Sequence, residues 1–348
     1  MLRHLALSAA LLAAPVALAG PLNRALVDRD ASWLVHLDVE AGQKSSLAPF
    51  IIKSVDADSL SHLEECKARF GLAPADIKSV TMYGLRFDDD GVAVLTATGA
   101  ADALIVKLPQ AGLDSFKSRV DGPVHYFSFA HEGKTWHCAL RPALPSSPPD
   151  ERLVLVAGSP PSLERGLKVI AGLTANAAFD PAAANPVAMA QPGKGSLIFV
   201  AARDLGADKK VQAAMLRNAR AIVVDFGETA ESPREMFGTL TVTAISPRTA
   251  TEMRDALQGL IAFGTMMARD AGTQGVVDSL QDLRLTLENE KLTLTAREKS
   301  SGVLSKLDQL AGALANGSAP RVRPASNDKP TPTPTPTPTP APAAPAPK

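Results

Sequence analysis

Three histidines crowd one short stretch of this chain: His125, His131 and His137. Imidazole is the commonest protein ligand for transition metals, so the cluster calls for a metal test. Residues 124–130 and 134–140 alternate in polarity and read as two strands of a hairpin turning at Glu132-Gly133. In that register Ala130 opposes Thr135 and Ser128 opposes His137. His125 then shares a face with Phe127, Phe129, Trp136 and Cys138. His137 falls on the other face and His131 at the turn. Metal ligands must converge within about 2.0–2.3 Å of one ion, and side chains arranged this way do not. The sequence therefore assigns no metal ligand here.

The chain has two cysteines, Cys66 and Cys138. Cys138 lies on the apolar face of the hairpin. Cys66 lies on a stripe with Leu60, Leu63 and Phe70, the helical spacing expected over 59–70. That helix must cover a sheet face. In an oxidising compartment a Cys66–Cys138 disulfide is one outcome. Two small buried hydrophobes are the other. An apolar setting raises a thiol pKa, which argues against a nucleophile.

Carboxylates give less. Asp88-Asp89-Asp90-Gly91 offers ligands for Ca²⁺, but lacks the further spaced ligands and closing Glu of an EF-type loop. It reads as a hairpin turn. Asp38, Glu40, Asp225 and Glu228 sit at strand ends and could pair as acid and base, although no spacing ties them together. There is no G-x-x-x-x-G-K-[ST] loop, no G-x-S-x-G elbow and no H-E-x-x-H. One S-x-x-K match, Ser326 to Lys329, falls in a segment too proline-rich to hold a nucleophile rigidly. No catalytic, cofactor-binding or metal-binding residue is assigned, and no cofactor.

The elements that would position these groups alternate strand and helix periods. Strands are expected at 32–39, 77–87, 91–98, 124–130, 134–140 and 152–158. A helical stretch is expected from Thr98 to about Val120, and a helix at 159–173 with Ser159 as N-cap. A second run repeats the order: strands at 196–202, 221–226 and 236–245, a short helix at 209–218, and a long helix from Ser246-Pro247. A hairpin at 283–295 and a helix at 301–314 close it. Leu283, Leu285 and Leu287 alternate with Arg284, Thr286 and Glu288, which marks a strand wet on one face. Both runs read approximately β-α-ββ-α-ββ-(β)-α. The expected fold is α+β: two tandem similar units, each a mainly antiparallel one-sided sheet covered by helices. The first spans 20–175 and the second 196–318, joined by an Ala/Pro/Gly-rich linker at 176–195.

The ends are different in kind. Residues 1–19 carry Arg3 and His4, an apolar run, and Ala17-Leu18-Ala19, the pattern of a secretory signal peptide cleaved before Gly20. The run is shorter than the about 20 apolar residues that span a bilayer. Residues 319–348 hold 11 of the 28 prolines and a Thr-Pro dipeptide repeated five times. Such a tail cannot build a helix or a ladder and reads as disordered. A periplasmic or extracellular protein follows, with no transmembrane segment and an envelope partner as one use of the tail. Lys plus Arg total 36 and Asp plus Glu 36, so the formal charge is zero. That balance, with 4% aromatics, argues against nucleic acid as a partner.

Two stretches resemble a group of uncharacterised exported bacterial proteins: Trp33-Leu34-Val35-His36-Leu37-Asp38 and Val80-Thr81-Met82-Tyr83-Gly84. The likeness would extend over about 25–316. It implies export and carries over no activity or functional residue. The function expected is an exported, non-catalytic binding or scaffolding protein of the cell envelope, holding a hydrophobic ligand between helices and sheet. The alternatives are an unrecognised periplasmic hydrolase and a structural protein tethered by its Thr-Pro tail.

Overall fold

The computed structural model describes residues 22–50, 64–65, 67–87, 91–178, 185–205, 217–270 and 274–315. The expected leader, Cys66, the acidic turn at 88–90, most of the helix expected at 209–218 and the Thr-Pro tail lie outside these residues. The chain divides into two compact units, Met1–Asp308 and Gln309–Lys348. Of the second, 309–315 are described and are helical.

The first half runs β1 (Trp33–Asp38), α1 (Val39–Lys44), β2 (Ile77–Gly84), β3 (Val92–Ala97), α2 (Ala103–Gln110), β4 (Asp114–Asp121), β5 (Val124–His131), β6 (Lys134–Pro142), β7 (Arg152–Ala157) and α3 (Pro160–Ile170). The second half runs α4 (Pro186–Met189), β8 (Ser196–Arg203), β9 (Ala219–Glu228), β10 (Glu235–Ala244), α5 (Pro247–Asp270), α6 (Gln274–Gln281), β11 (Arg284–Glu288), β12 (Lys291–Lys299) and α7 (Ser300–Ala315).

Local chemistry explains most boundaries. The Asp38 carboxylate accepts from the Ala41 amide at 2.8 Å and starts α1. Ser159 caps α3 with Pro160 in its first turn. Ser246 accepts from the Thr249 amide ahead of Pro247 and starts α5. Glu132 and Gly133, both at positive φ, turn β5 into β6.

The two separate sheets expected from the sequence do not form. All twelve strands join one sheet in the order β11-β12-β10-β9-β8-β1-β2-β3-β7-β6-β5-β4. Every pairing is antiparallel. The junction is β1, which pairs with β2 on one side and with β8 on the other, Leu34 opposite Ala201 and Val35 opposite Val200. A half-sheet ending in β1 or β8 would leave a row of unpaired N–H and C=O groups. Joining the two edges satisfies both rows. Outward from the junction the orders correspond: β1-β2-β3-β7-β6 on one side and β8-β9-β10-β12-β11 on the other, with β4 and β5 added beyond β6.

The core crosses the junction as well. Leu34, Val94 and Leu155 pack in one cluster with Phe199, Ala201 and Val187. Fully burying an apolar side chain of this size contributes about 1.5–3 kcal/mol. Asn185 ties its end of the expected linker to the first half, its amide donating to the Arg29 and Ala31 carbonyls at 2.7 and 2.9 Å.

A second correction concerns 98–120. The helix stops at Gln110, and Asp114–Asp121 is an outer strand paired with β5. Its sequence, DSFKSRVD, has too few apolar side chains to announce a strand. Pairing and Phe116, whose ring lies 6.2 Å from that of Phe127, hold it in place.

Candidate ligand groove

The groove arises where α3 crosses the sheet short of its edge. Leu163, Gly166, Val169 and Ile170 form the buried stripe of α3. A Cβ at Gly166 would meet Val92 at 3.0 Å, so glycine lets the helix lie close on β3. α3 packs against β7, β6 and β3, while β4 and β5 continue beyond them. The space between the helix flank and this overhang has a volume of about 480 Å³, within the range of small-molecule sites. Pro160, Leu163, Glu164 and Leu167 line one wall. Lys117, Arg119, Tyr126, Ser128 and His137 line the sheet side.

Strand register sets the order of those side chains. A bulge between Asp114 and Lys117, with Ser115 at φ 53°, aligns the rest of β4. One row across the sheet is then Lys117, Ser128, His137 and Ala157; the next is Arg119, Tyr126, Ala139 and Leu155. Each row runs from a cation at the outer strand to a buried apolar residue near α3. The Arg119 guanidinium lies 4.0 Å above the Tyr126 ring, a cation–π arrangement. Among the described residues neither Lys117 nor Arg119 pairs with a carboxylate. Glu164, the acid in the groove, is held by Lys168 at 2.8 Å. That hydrogen bond and charge keep its carboxyl below the usual range.

The opposite face of β4–β6 is packed. Phe127 and Cys138 are buried there with Leu104 and Leu108 of α2. Burial pushes the Cys138 thiol up to about 12. Among the described residues Cys138 has no disulfide partner, and Phe70 packs in the same cluster.

The observed hairpin pairs Ala130 with Thr135 and Ser128 with His137, the register read from the sequence. His125 and His137 therefore lie on opposite faces, and His131 sits at the strand end. No group of three or more metal-ligating side chains forms among the described residues.

The strand-end carboxylates are bound up in local structure. Asp38 caps α1. Glu40 meets Lys44 at 3.1 Å. Asp225 accepts from the Gly193 amide at 2.7 Å and from Ser196 Oγ at 2.5 Å, closing the entry to β8. Glu228 accepts from the Ser46 amide at 2.8 Å and from Ser300 Oγ, and lies 3.6 Å from Arg234.

A further polar cluster lies behind α3. Asp28 is fully buried and accepts from Arg165 at 2.5 Å and from the Asp30 amide at 2.8 Å. The bond to Asp28 raises the Arg165 pKa. Burial, and then the Asp28 charge, raise that of Tyr83. The buried Tyr83 hydroxyl has no hydrogen-bond partner among the described residues.

Sequence reasoning missed Lys117 and Arg119, because it placed them in a helix. The signal available was weak: Phe116 and Val120 alternate with Lys117, Arg119 and Asp121, but Ser118 breaks the apolar face between them.

No helix among the described residues is long and apolar enough to cross a membrane. No protein-family model and no curated protein matches this chain. Solved structures similar to it include crystal forms III, I and IV of TP0453. Their TM-scores are 0.44, 0.40 and 0.41, at 10%, 10% and 12% identity. The matches cover 83%, 83% and 82% of this chain and 98%, 98% and 97% of those chains.

Proposed function

We propose that this chain is an exported, non-catalytic binding protein of the cell envelope, and that the groove between α3 and β4–β6 holds a hydrophobic ligand. The observation that carries this reading is the groove itself: about 480 Å³, walled by Leu163 and Leu167 and floored by Tyr126. Export rests on the leader pattern in the first 19 residues. A non-catalytic role is supported by the carboxylates, which serve caps, clamps and ion pairs.

Native mass spectrometry of protein purified from its own host, with solvent extraction of the same sample, tests the proposal. A co-purifying apolar molecule, displaced by the substitution Leu167→Glu, is the expected result. Protein that is consistently empty and takes up no added amphiphile would overturn it.

A further inference from the structure

We infer that the ligand is a single-chain amphiphile with an anionic head, its head at Lys117 and Arg119 and its chain lying along the Pro160, Leu163 and Leu167 flank of α3; this rests on the binding reading above. The argument is the gradient in the two sheet rows. Along the first, Lys117 gives way to Ser128, His137 and then Ala157. Along the second, Arg119 gives way to Tyr126, Ala139 and then Leu155. Ala139, Leu155 and Ala157 are at most 1% exposed and sit under α3 in the main core cluster, so the apolar surface open to a ligand at the inner end is the helix flank of Pro160, Leu163 and Leu167. Polarity thus falls in one direction across about three strand spacings, each about 4.8 Å.

Two cations sit side by side at the outer end, two residues apart on one strand face. Among the described residues neither pairs with a carboxylate, nor does Asp121, the next residue on that face, pair with a cation. Glu164 is already engaged by Lys168. The open end therefore carries two cations against the one carboxylate of Asp121, a net positive charge, while the inner end is apolar. A neutral apolar ligand would leave the cations unused. A free inorganic anion would leave the apolar wall wet. An anionic head on a linear chain matches both ends at once.

A carboxylate and a phosphate monoester would both satisfy two cations, so the chemistry is shared and the probes separate the sources. Isothermal titration calorimetry of the full chain with decanoate, decyl phosphate and decanol, each below its aggregation limit, reads the preference. At least one anionic probe is expected to bind about tenfold more tightly than decanol, the equivalent of about 1.4 kcal/mol. The stronger of the two anions names the head. The double substitution Lys117→Gln/Arg119→Gln should remove that margin, read as the ratio of anion to decanol affinity. Raising the salt should weaken the anions selectively. Both side chains are exposed, so the variant should keep its fold, which circular dichroism checks.

Equal affinity for decanol and the anions, or a margin that survives the double substitution, would overturn the anionic head and leave the binding reading standing. If none of the three probes binds, both fall.

Discussion

Trp33 stands directly opposite Gly84 in the β1–β2 ladder, and its indole fills the space that a side chain at position 84 would need. A Cβ there would lie 2.6 Å from the indole Nε1 and 2.7 Å from Cε2. The ring also covers Gly91, where a Cβ would fall 2.6 Å from Cζ2. The indole N–H donates to the Arg86 carbonyl at 3.0 Å. The two strand segments singled out in the sequence are thus neighbours, locked by one aromatic side chain over two glycines.

Gly84→Ala should therefore lower stability by about 1–3 kcal/mol, the usual cost of overpacking. In a Trp33→Ala background the same change should cost much less, because the clashing ring is gone. Urea unfolding of the four proteins measures the coupling. Equal costs in both backgrounds would show that the indole is not what excludes the methyl group.

The ion pair behind α3 makes a second case. Arg165→Ala leaves Asp28 fully buried with only the Asp30 amide donating to it among the described residues. A buried acceptor left short of a partner costs about 1–3 kcal/mol. Adding Asp28→Asn should recover part of the loss, since an amide carries no charge into that position. Chemical denaturation compares the single and double variants.

Cys138 offers a pH test. Its thiol is pushed up to about 12, against about 8.5 for a free cysteine. Below the ordinary value both folded and unfolded chains hold the proton. Between the two values only the unfolded chain releases it, so stability falls as pH rises through that window. Cys138→Ala should flatten this slope, and native protein at pH 8 should resist alkylation. The slope requires Cys138 to be unpaired. Denaturant alone should then expose both cysteines to alkylation, read by intact mass. Thiols that appear only after reductant would mean the Cys66–Cys138 disulfide instead, and no slope.

The two faces of α5 should respond differently. Met253 is 4% exposed and packs with Val242 and Leu292, so Met253→Ala should cost about 2–5 kcal/mol. Phe263, 56% exposed on the same helix, should tolerate Phe263→Gln within about 0.5 kcal/mol. Thermal unfolding of the two variants checks the assignment.

Much was legible because the relevant physics is local. The β5–β6 register follows from a two-residue turn and side chains that alternate with period two, and so does the split of His125 from His137. Ser159-Pro160 and Ser246-Pro247 announce α3 and α5 because capping needs only neighbouring residues. β4 was misread because DSFKSRVD has no strong period of its own and becomes a strand only by pairing with β5. Lys117 and Arg119 were lost with it, and the groove with them.

By itself, then, the sequence determined the leader pattern, the proline tail, most strands and helices, and which residues of a hairpin share a face. The tertiary structure decided that β1 and β8 join two half-sheets into one and that α3 stops short of the sheet edge, leaving a groove. Hairpins are written in turn residues and alternation. The pairing of Leu34 with Ala201 is made by backbone N–H and C=O groups that every residue but proline carries, so no side-chain pattern marks it in advance.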